Sequence, residues 1–284
     1  MTKKRQPCYN INIPPRGIFL HPEGVQITVT SYVKTQRTFS FIRRYGWLVT
    51  LIIALGGLWA PRLGLLVPPI MAALMVMSLF GGKYWCGNYC FHGSLFDTLV
   101  MPRSRNIKTP ALLRSRGFIT LFFIIFMFAL ARRLITVFEH PGGADFWDRL
   151  GFAFVLTYLV VTVAGSALNI FLNPRAWCHF CPMGTIQSLL YKAGKYLPWT
   201  DSWGKKVAIK DGSLCLSCGK CSRVCPMQLE PHGELMNSKI LHNGACIRCG
   251  VCTRHCPQNL LSLETPSKIF HKKEGNIIRL EKVR

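Results

Sequence analysis

Four apolar runs, each close to the roughly 20 residues that carry a helix across a bilayer, constrain this chain more than any other feature. They lie at Tyr45–Ala60, about Gly64–Gly82, Gly117–Phe138 and Gly151–Leu172. The first is short, with Arg43 and Arg44 before it and Pro61 and Arg62 after it. The third carries Arg132 and Arg133 near its far end, where long side chains snorkel to the interface. Trp47, Trp59, Tyr84, Trp85, Trp147 and Trp177 stand at the edges of the runs, as an aromatic belt requires. Half of the 284 residues are hydrophobic and 17% are charged, a profile foreign to a soluble basic protein of this length.

The charges fix how the runs are threaded. Lysine and arginine number 35 against 12 acids. Residues 1–44 hold eight basic side chains against Glu23, residues 83–116 hold six against Asp97, and residues 173–284 hold seventeen against seven acids. The connection 139–150 is the reverse, with Glu139, Asp145 and Asp148 against Arg149. Four spans place all three basic segments on one side, and the positive-inside tendency makes that side the cytoplasm. Both termini are then cytoplasmic. No short apolar region with a small-residue cleavage site precedes the first run, so no cleavable signal peptide is expected. Nucleic-acid binding would need aromatic or helix-turn-helix signals beside the basic excess, and these are missing. Docking of an acidic redox partner is compatible with the same charges.

The carboxyl-terminal region supplies the chemistry. It reads Cys215-Leu-Ser-Cys218-Gly-Lys-Cys221-Ser-Arg-Val-Cys225-Pro226, then Cys246-Ile-Arg-Cys249-Gly-Val-Cys252-Thr-Arg-His-Cys256-Pro257. Three cysteines at two-residue intervals wrap one iron–sulfur cubane, and the fourth, displaced by an extra residue and a proline, ligates the other cluster. Cys215, Cys218, Cys221 and Cys256 are therefore assigned to one [4Fe-4S] cluster, and Cys246, Cys249, Cys252 and Cys225 to a second. Gly219 and Gly250 let the backbone approach the clusters. Zinc modules space two ligand pairs by a longer loop and have no need of the third cysteine. A disulfide framework is excluded by cysteine density and by a reducing cytoplasm. Lys220, Arg223, Arg248 and Arg254 would partly offset the cluster charge, although a solvated basic face explains most of them more simply.

A second cysteine pattern lies at the membrane. After the second run comes Trp85-Cys86-Gly-Asn-Tyr-Cys90-Phe-His92-Gly93, and after the fourth comes Trp177-Cys178-His179-Phe-Cys181-Pro182-Met-Gly184. Each follows a helical hairpin, so residues 45–97 and 117–190 read as a duplicated two-helix unit whose copies emerge on the same side. Cys86, Cys90, Cys178 and Cys181 are candidates for a further iron–sulfur or other metal centre, or for a reversible thiol pair. Burial as small packing residues is the plain alternative. Cys8 reads as a free thiol.

These motifs carry a resemblance. Four spans, two Cys-x(2–3)-Cys motifs at helix ends and a two-cluster ferredoxin resemble the NapH/MauN-type membrane ferredoxin family over roughly residues 45–260. That family includes the membrane quinol dehydrogenase component of periplasmic nitrate reductase and the methylamine-utilization ferredoxin-type protein. Its members usually show Cys-x3-Cys-Pro twice; here Phe91 replaces the first proline, and two residues separate Cys178 from Cys181. The resemblance implies a bacterial inner-membrane protein passing electrons between the quinone pool and a periplasmic redox enzyme, alongside a second ferredoxin-type protein. It also keeps open a reductase serving the maturation of a periplasmic dehydrogenase or metalloenzyme. In that case deletion would leave the target enzyme inactive even with an artificial electron acceptor.

The expected architecture is a basic segment 1–44, a transmembrane all-α domain of four helices over 45–175 and an interfacial linker over 176–210. A small α+β bacterial-type 2[4Fe-4S] ferredoxin domain follows over 211–266, then a basic tail over 267–284. The stretch Gln187–Trp203, with Leu189, Leu190, Tyr191, Leu197 and Trp199, suits a membrane-surface position. No Gly-x-Gly-x-x-Gly follows a strand-like segment, so a nicotinamide or Rossmann-type flavin site is unsupported. His92, His140 and His179 lie beyond the runs, which leaves no pair of membrane histidines for haem. Asp97, His92 and His179 stand near the depth of a quinone site. Interfacial solvation accounts for the first and a satisfied hydrogen bond for either histidine, so none is assigned a catalytic role. The chain reads as an electron-transfer subunit rather than a self-contained enzyme.

Overall fold

The computed structural model describes residues 32–139, 145–194, 196 and 204–265. Cys8, His140, Leu197, Trp199, Trp203 and the basic tail lie outside them. Four helical stretches, Phe41–Leu58, Pro61–Gly81, Arg116–Phe138 and Phe146–Phe171, are long and apolar enough to cross a membrane.

Helix α1 (Phe41–Ala54) starts where the Ser40 hydroxyl accepts the Arg43 amide. This is four residues before the expected edge, and it moves Arg43 and Arg44 from flanking positions into the helix. The chain reverses through Gly56 and Pro61, and α2 (Val67–Gly81) ends at Gly82, whose φ of +53° suits glycine. Two short helices follow, α3 (Tyr84–Asn88) and α4 (Phe91–Leu95). Ser115 caps the long α5 (Arg116–Phe138), and α6 (Phe146–Phe171) returns. Helix α7 (Pro182–Gly194) closes the helical bundle.

Small residues let these helices approach. A Cβ on Gly151 of α6 would overlap the Pro61 carbonyl, and one on Gly64 would overlap the Gly151 carbonyl. Gly194 meets Leu79 in the same way, which seats α7 against α2. Residues 182–194 thus pack against the bundle through a buried face that includes Gln187, while Leu189 is exposed. Helix α5 is peripheral: Leu121, Ile124, Ile125 and Phe128 face outward, as lipid contact demands. Its Arg133 donates to Thr157 Oγ1 of α6 at 2.9 Å, so this arginine is held by a neighbouring helix instead of reaching only for the interface.

The remaining described residues form a small α+β unit. Strands β1 (Lys206–Ile209) and β2 (Leu261–Glu264) pair antiparallel with Lys206 opposite Glu264. Helices α8 (Lys220–Arg223), α9 (Pro231–Ser238) and α10 (Val251–Arg254) complete it around Val207, Ile209, Leu235, Leu241 and Leu260. The two cysteine motifs adopt one backbone path: left-handed residues recur at Ser217 and Arg248, Gly219 and Gly250, Gln228 and Asn259.

This unit rests on one end of the helical bundle. Gln228 accepts from the Thr109 amide at 2.9 Å and from Arg114, and donates to the Ile107 carbonyl at 2.9 Å. The Val33 amide donates to the Arg223 carbonyl at 2.9 Å. Residues 32–40, the 82–115 connection and the cysteine-rich unit therefore share one end, while 59–62 and 145–149 occupy the other, joined there by Arg62 and Asp148 at 2.9 Å.

Candidate iron–sulfur sites

The eight cysteines of the α+β unit line two cavities. One is bounded by Cys225, Cys246, Cys249 and Cys252 with Val207, Met227, Leu241 and Ile247. The other is bounded by Cys215, Cys218, Cys221 and Cys256 with Ile209, His232, Leu235 and Leu260. The first lies toward the membrane bundle. The second is the outer one, beside the exposed Leu214, Leu216 and Met236. Burial, then neighbouring thiolates, pushes the Cys225 thiol up to about 12 and the Cys246 thiol to about 11. Thiolates gathered in such surroundings need a multiply charged cation among them. None of the twelve described cysteines forms a disulfide. Among the described residues no three His, Cys, Asp or Glu side chains close on the single point that a lone ion requires. Four cysteines spread around a dry cavity suit a cluster several ångströms across.

The four membrane-end cysteines lie within electrostatic reach of one another. Cys86 lies in α3, Cys90 caps α4, Cys178 lies in a single 3-10 turn (Trp177–His179), and Cys181 stands just before α7. Burial raises the Cys86, Cys90 and Cys181 thiols, and their mutual charges, together with that of Cys178, raise them further, Cys181 to about 12. Nitrogen donors surround the sulfurs: the Gly93 amide lies 3.4 Å from Cys90 Sγ, and Arg175 Nη1 lies 3.7 Å from Cys178 Sγ. Cys86 Sγ sits 3.4 Å from Gln187 Oε1, while Gln187 Nε2 is buried without a partner among the described residues. Turned over, that amide would donate to a Cys86 thiolate.

Asp97 is not solvated at an interface. Its carboxylate is fully buried and gathers three guanidinium groups. Arg175 binds it through Nε at 3.1 Å and Nη2 at 2.6 Å, Arg43 through Nη2 at 2.6 Å, and Arg37 stands at 3.7 Å. Burial opposes ionisation, but the Arg175 and Arg43 charges prevail and hold Asp97 well below the usual carboxylate range. His92 does make a hydrogen bond, to Thr162 Oγ1 at 3.0 Å, and burial lowers it to about 4. The expected satisfied bond is missing at His179, whose buried Nε2 has no partner among the described residues.

The α+β unit touches the first membrane-end motif through the residues that follow Cys86. A Cβ on Gly87, next to Cys86, would overlap the Ile247 carbonyl and stand 3.0 Å from both N and Cα of Cys249. Asn88 Nδ2 donates to the Arg248 carbonyl at 3.2 Å. Arg248 is buried, donates to the Gly81 carbonyl at 2.5 Å and lies over the Tyr191 ring. Arg254 stacks on Phe39 at 4.3 Å, and Arg223 donates to the Cys218 carbonyl at 3.1 Å. Arg248 is therefore a seam residue and not part of a solvated basic face, whereas Arg254 remains exposed and Arg223 half-buried.

Comparison with known families agrees with this geometry. A family model described as a 4Fe-4S binding domain matches residues 63–110 and 152–205, which hold the two membrane-end motifs. A second, described as a 4Fe-4S dicluster domain, matches residues 207–257. No curated protein and no solved structure matches the chain. The chain carries 4Fe-4S ferredoxin-type domains together with four apolar helices, which supports an iron–sulfur electron-transfer role.

Proposed function

We propose that this chain is a membrane-bound iron–sulfur protein that relays electrons between the quinone pool and a periplasmic redox system. Cys215, Cys218, Cys221 and Cys256 hold an outer [4Fe-4S] cluster, and Cys225, Cys246, Cys249 and Cys252 an inner one. Cys86, Cys90, Cys178 and Cys181 hold a third centre at the bilayer surface, supplied by the two halves of a duplicated hairpin. When bound, such clusters supply one-electron storage. The chain's own residues fix the order in which the centres meet and keep water from the inner two.

One observation supports the reading: Gly87 packs the first membrane-end motif against the backbone of Ile247 and Cys249, so the two cysteine-bearing segments are in contact. The quinone and the periplasmic partner come from the family resemblance, and the cytoplasmic face of the cysteine-rich end comes from the distribution of basic residues. Full-length protein purified without oxygen in lipid nanodiscs tests this. The expected result is about twelve irons and as many acid-labile sulfides per chain, with clusters reduced by menaquinol or ubiquinol. Eight irons would remove the third centre, and clusters untouched by either quinol would remove the quinone.

A further inference from the structure

We infer that Arg37, Arg43 and Arg175, gathered on Asp97, form a fixed cationic bridge between the inner ferredoxin centre and the membrane-end thiols, raising the reduction potential of both. This rests on reading the two cysteine sets as cluster ligands.

Three guanidinium groups face one carboxylate, with side-chain exposures of 2%, 4% and 1% for the arginines and 0% for Asp97. Two positive charges are left over in a buried interior, where an uncompensated ion is strongly unfavourable. Arg37 Nε and Arg43 Nε are buried without hydrogen-bond partners, and among the described residues no second carboxylate pairs with any of the three arginines. Anionic sulfur lies on both sides. Arg37 is within electrostatic reach of Cys249 and Cys225, and Arg175 of Cys178 and Cys90.

The contacts run without a break from one cysteine set to the other. Arg43 Nη1 meets the Cys249 carbonyl at 3.4 Å while its Nη2 holds Asp97. Arg175 holds the other side of Asp97 and reaches the Cys86 carbonyl at 3.2 Å and Cys178 Sγ at 3.7 Å. Gly93 makes room, since a Cβ there would press on the Arg175 guanidinium at 2.6 Å. A four-thiolate cluster is anionic and becomes one unit more so when reduced. Guanidinium does not lose its proton at accessible pH, so its charge stabilises the added electron without proton exchange. In the transfer itself one cluster is oxidised by one electron and its neighbour reduced by one. No bond or proton moves.

A role as mere glue between four segments predicts damage from any substitution, whereas an electrostatic role predicts opposite signs. The experiment is an EPR-monitored dithionite titration of the full-length holoprotein in nanodiscs, with the outer cluster as internal reference. Arg43→Gln should disfavour reduction of the inner cluster at least tenfold, 59 mV for a one-electron couple, and Arg43→Lys should restore most of it. Asp97→Asn should shift the same equilibrium tenfold the other way. Should Asp97→Asn fail to assemble, Arg37→Gln replaces it and must move the potential with the sign of Arg43→Gln. Shifts of one sign in Arg43→Gln and Asp97→Asn, no shift, or an equal shift in the outer cluster would overturn the inference. A chain with eight irons would sink the third centre alone, because the inner cluster's response remains readable.

Discussion

Replacing Gly87 by alanine tests the seam on which the electron path depends. The new methyl would overlap the Ile247 carbonyl and lie 3.0 Å from N and Cα of Cys249, all of them backbone atoms that cannot swing aside. Ordinary carbon contact begins near 3.5 Å, so the 246–249 loop must retreat by at least about 0.5 Å, and further at the Ile247 oxygen. Forcing one methyl into packed surroundings costs about 1–3 kcal/mol, which corresponds to a factor of about 5–150 in the docked equilibrium. The cysteines themselves are untouched. Both ferredoxin clusters should therefore persist, while hydrogen–deuterium exchange of the peptides spanning 84–90 and 243–252 quickens by that factor. Exchange equal to wild type, with clusters intact, would show that these backbones are not in contact and would break the argument for a continuous path.

Other outcomes follow from the same geometry. Gln228→Ala strands the Thr109 amide, the Ile107 carbonyl and Arg114; it should lower stability by about 1–3 kcal/mol in denaturant titration. Cys218→Ser should remove only the outer cluster's EPR signal and Cys249→Ser only the inner one, with about four irons lost in each case. Asp97, ionised well below its ordinary range, stabilises the fold above the unfolded value of about 3.9 and loses that contribution as pH falls through its lower native value. Acid unfolding followed by circular dichroism should thus begin below about pH 4, and the inner cluster's potential should stay flat from about pH 6 to 9.

The helices and the two-cluster motif were legible because each is written locally. Twenty apolar residues in a row and cysteines at two-residue intervals need no knowledge of what lies far along the chain. Asp97 was not legible. A lone acid in a basic connection looks solvated, and its partners come from three segments 54 to 78 residues away in sequence or in a separate amino-terminal strip. Arg43 was read as a flank for the same reason: without Asp97 in view, nothing says that a charged residue belongs inside a helix. Gly87 and Gln187 carried no periodic signal at all. One is defined by the absence of a side chain at a contact, the other by a single amide facing Cys86.

The pairing of motifs across the bundle also governs how the protein can be made. Helix α7 seats on α2, and Cys178 and Cys181 enter only after α6 is complete. A nascent chain inserted through its third span holds just half of the membrane-end thiols, and the loop that covers them is translated later still. On the proposed function, a cluster at that position is assembled only late in biogenesis, after the residues that complete and cover it have been made.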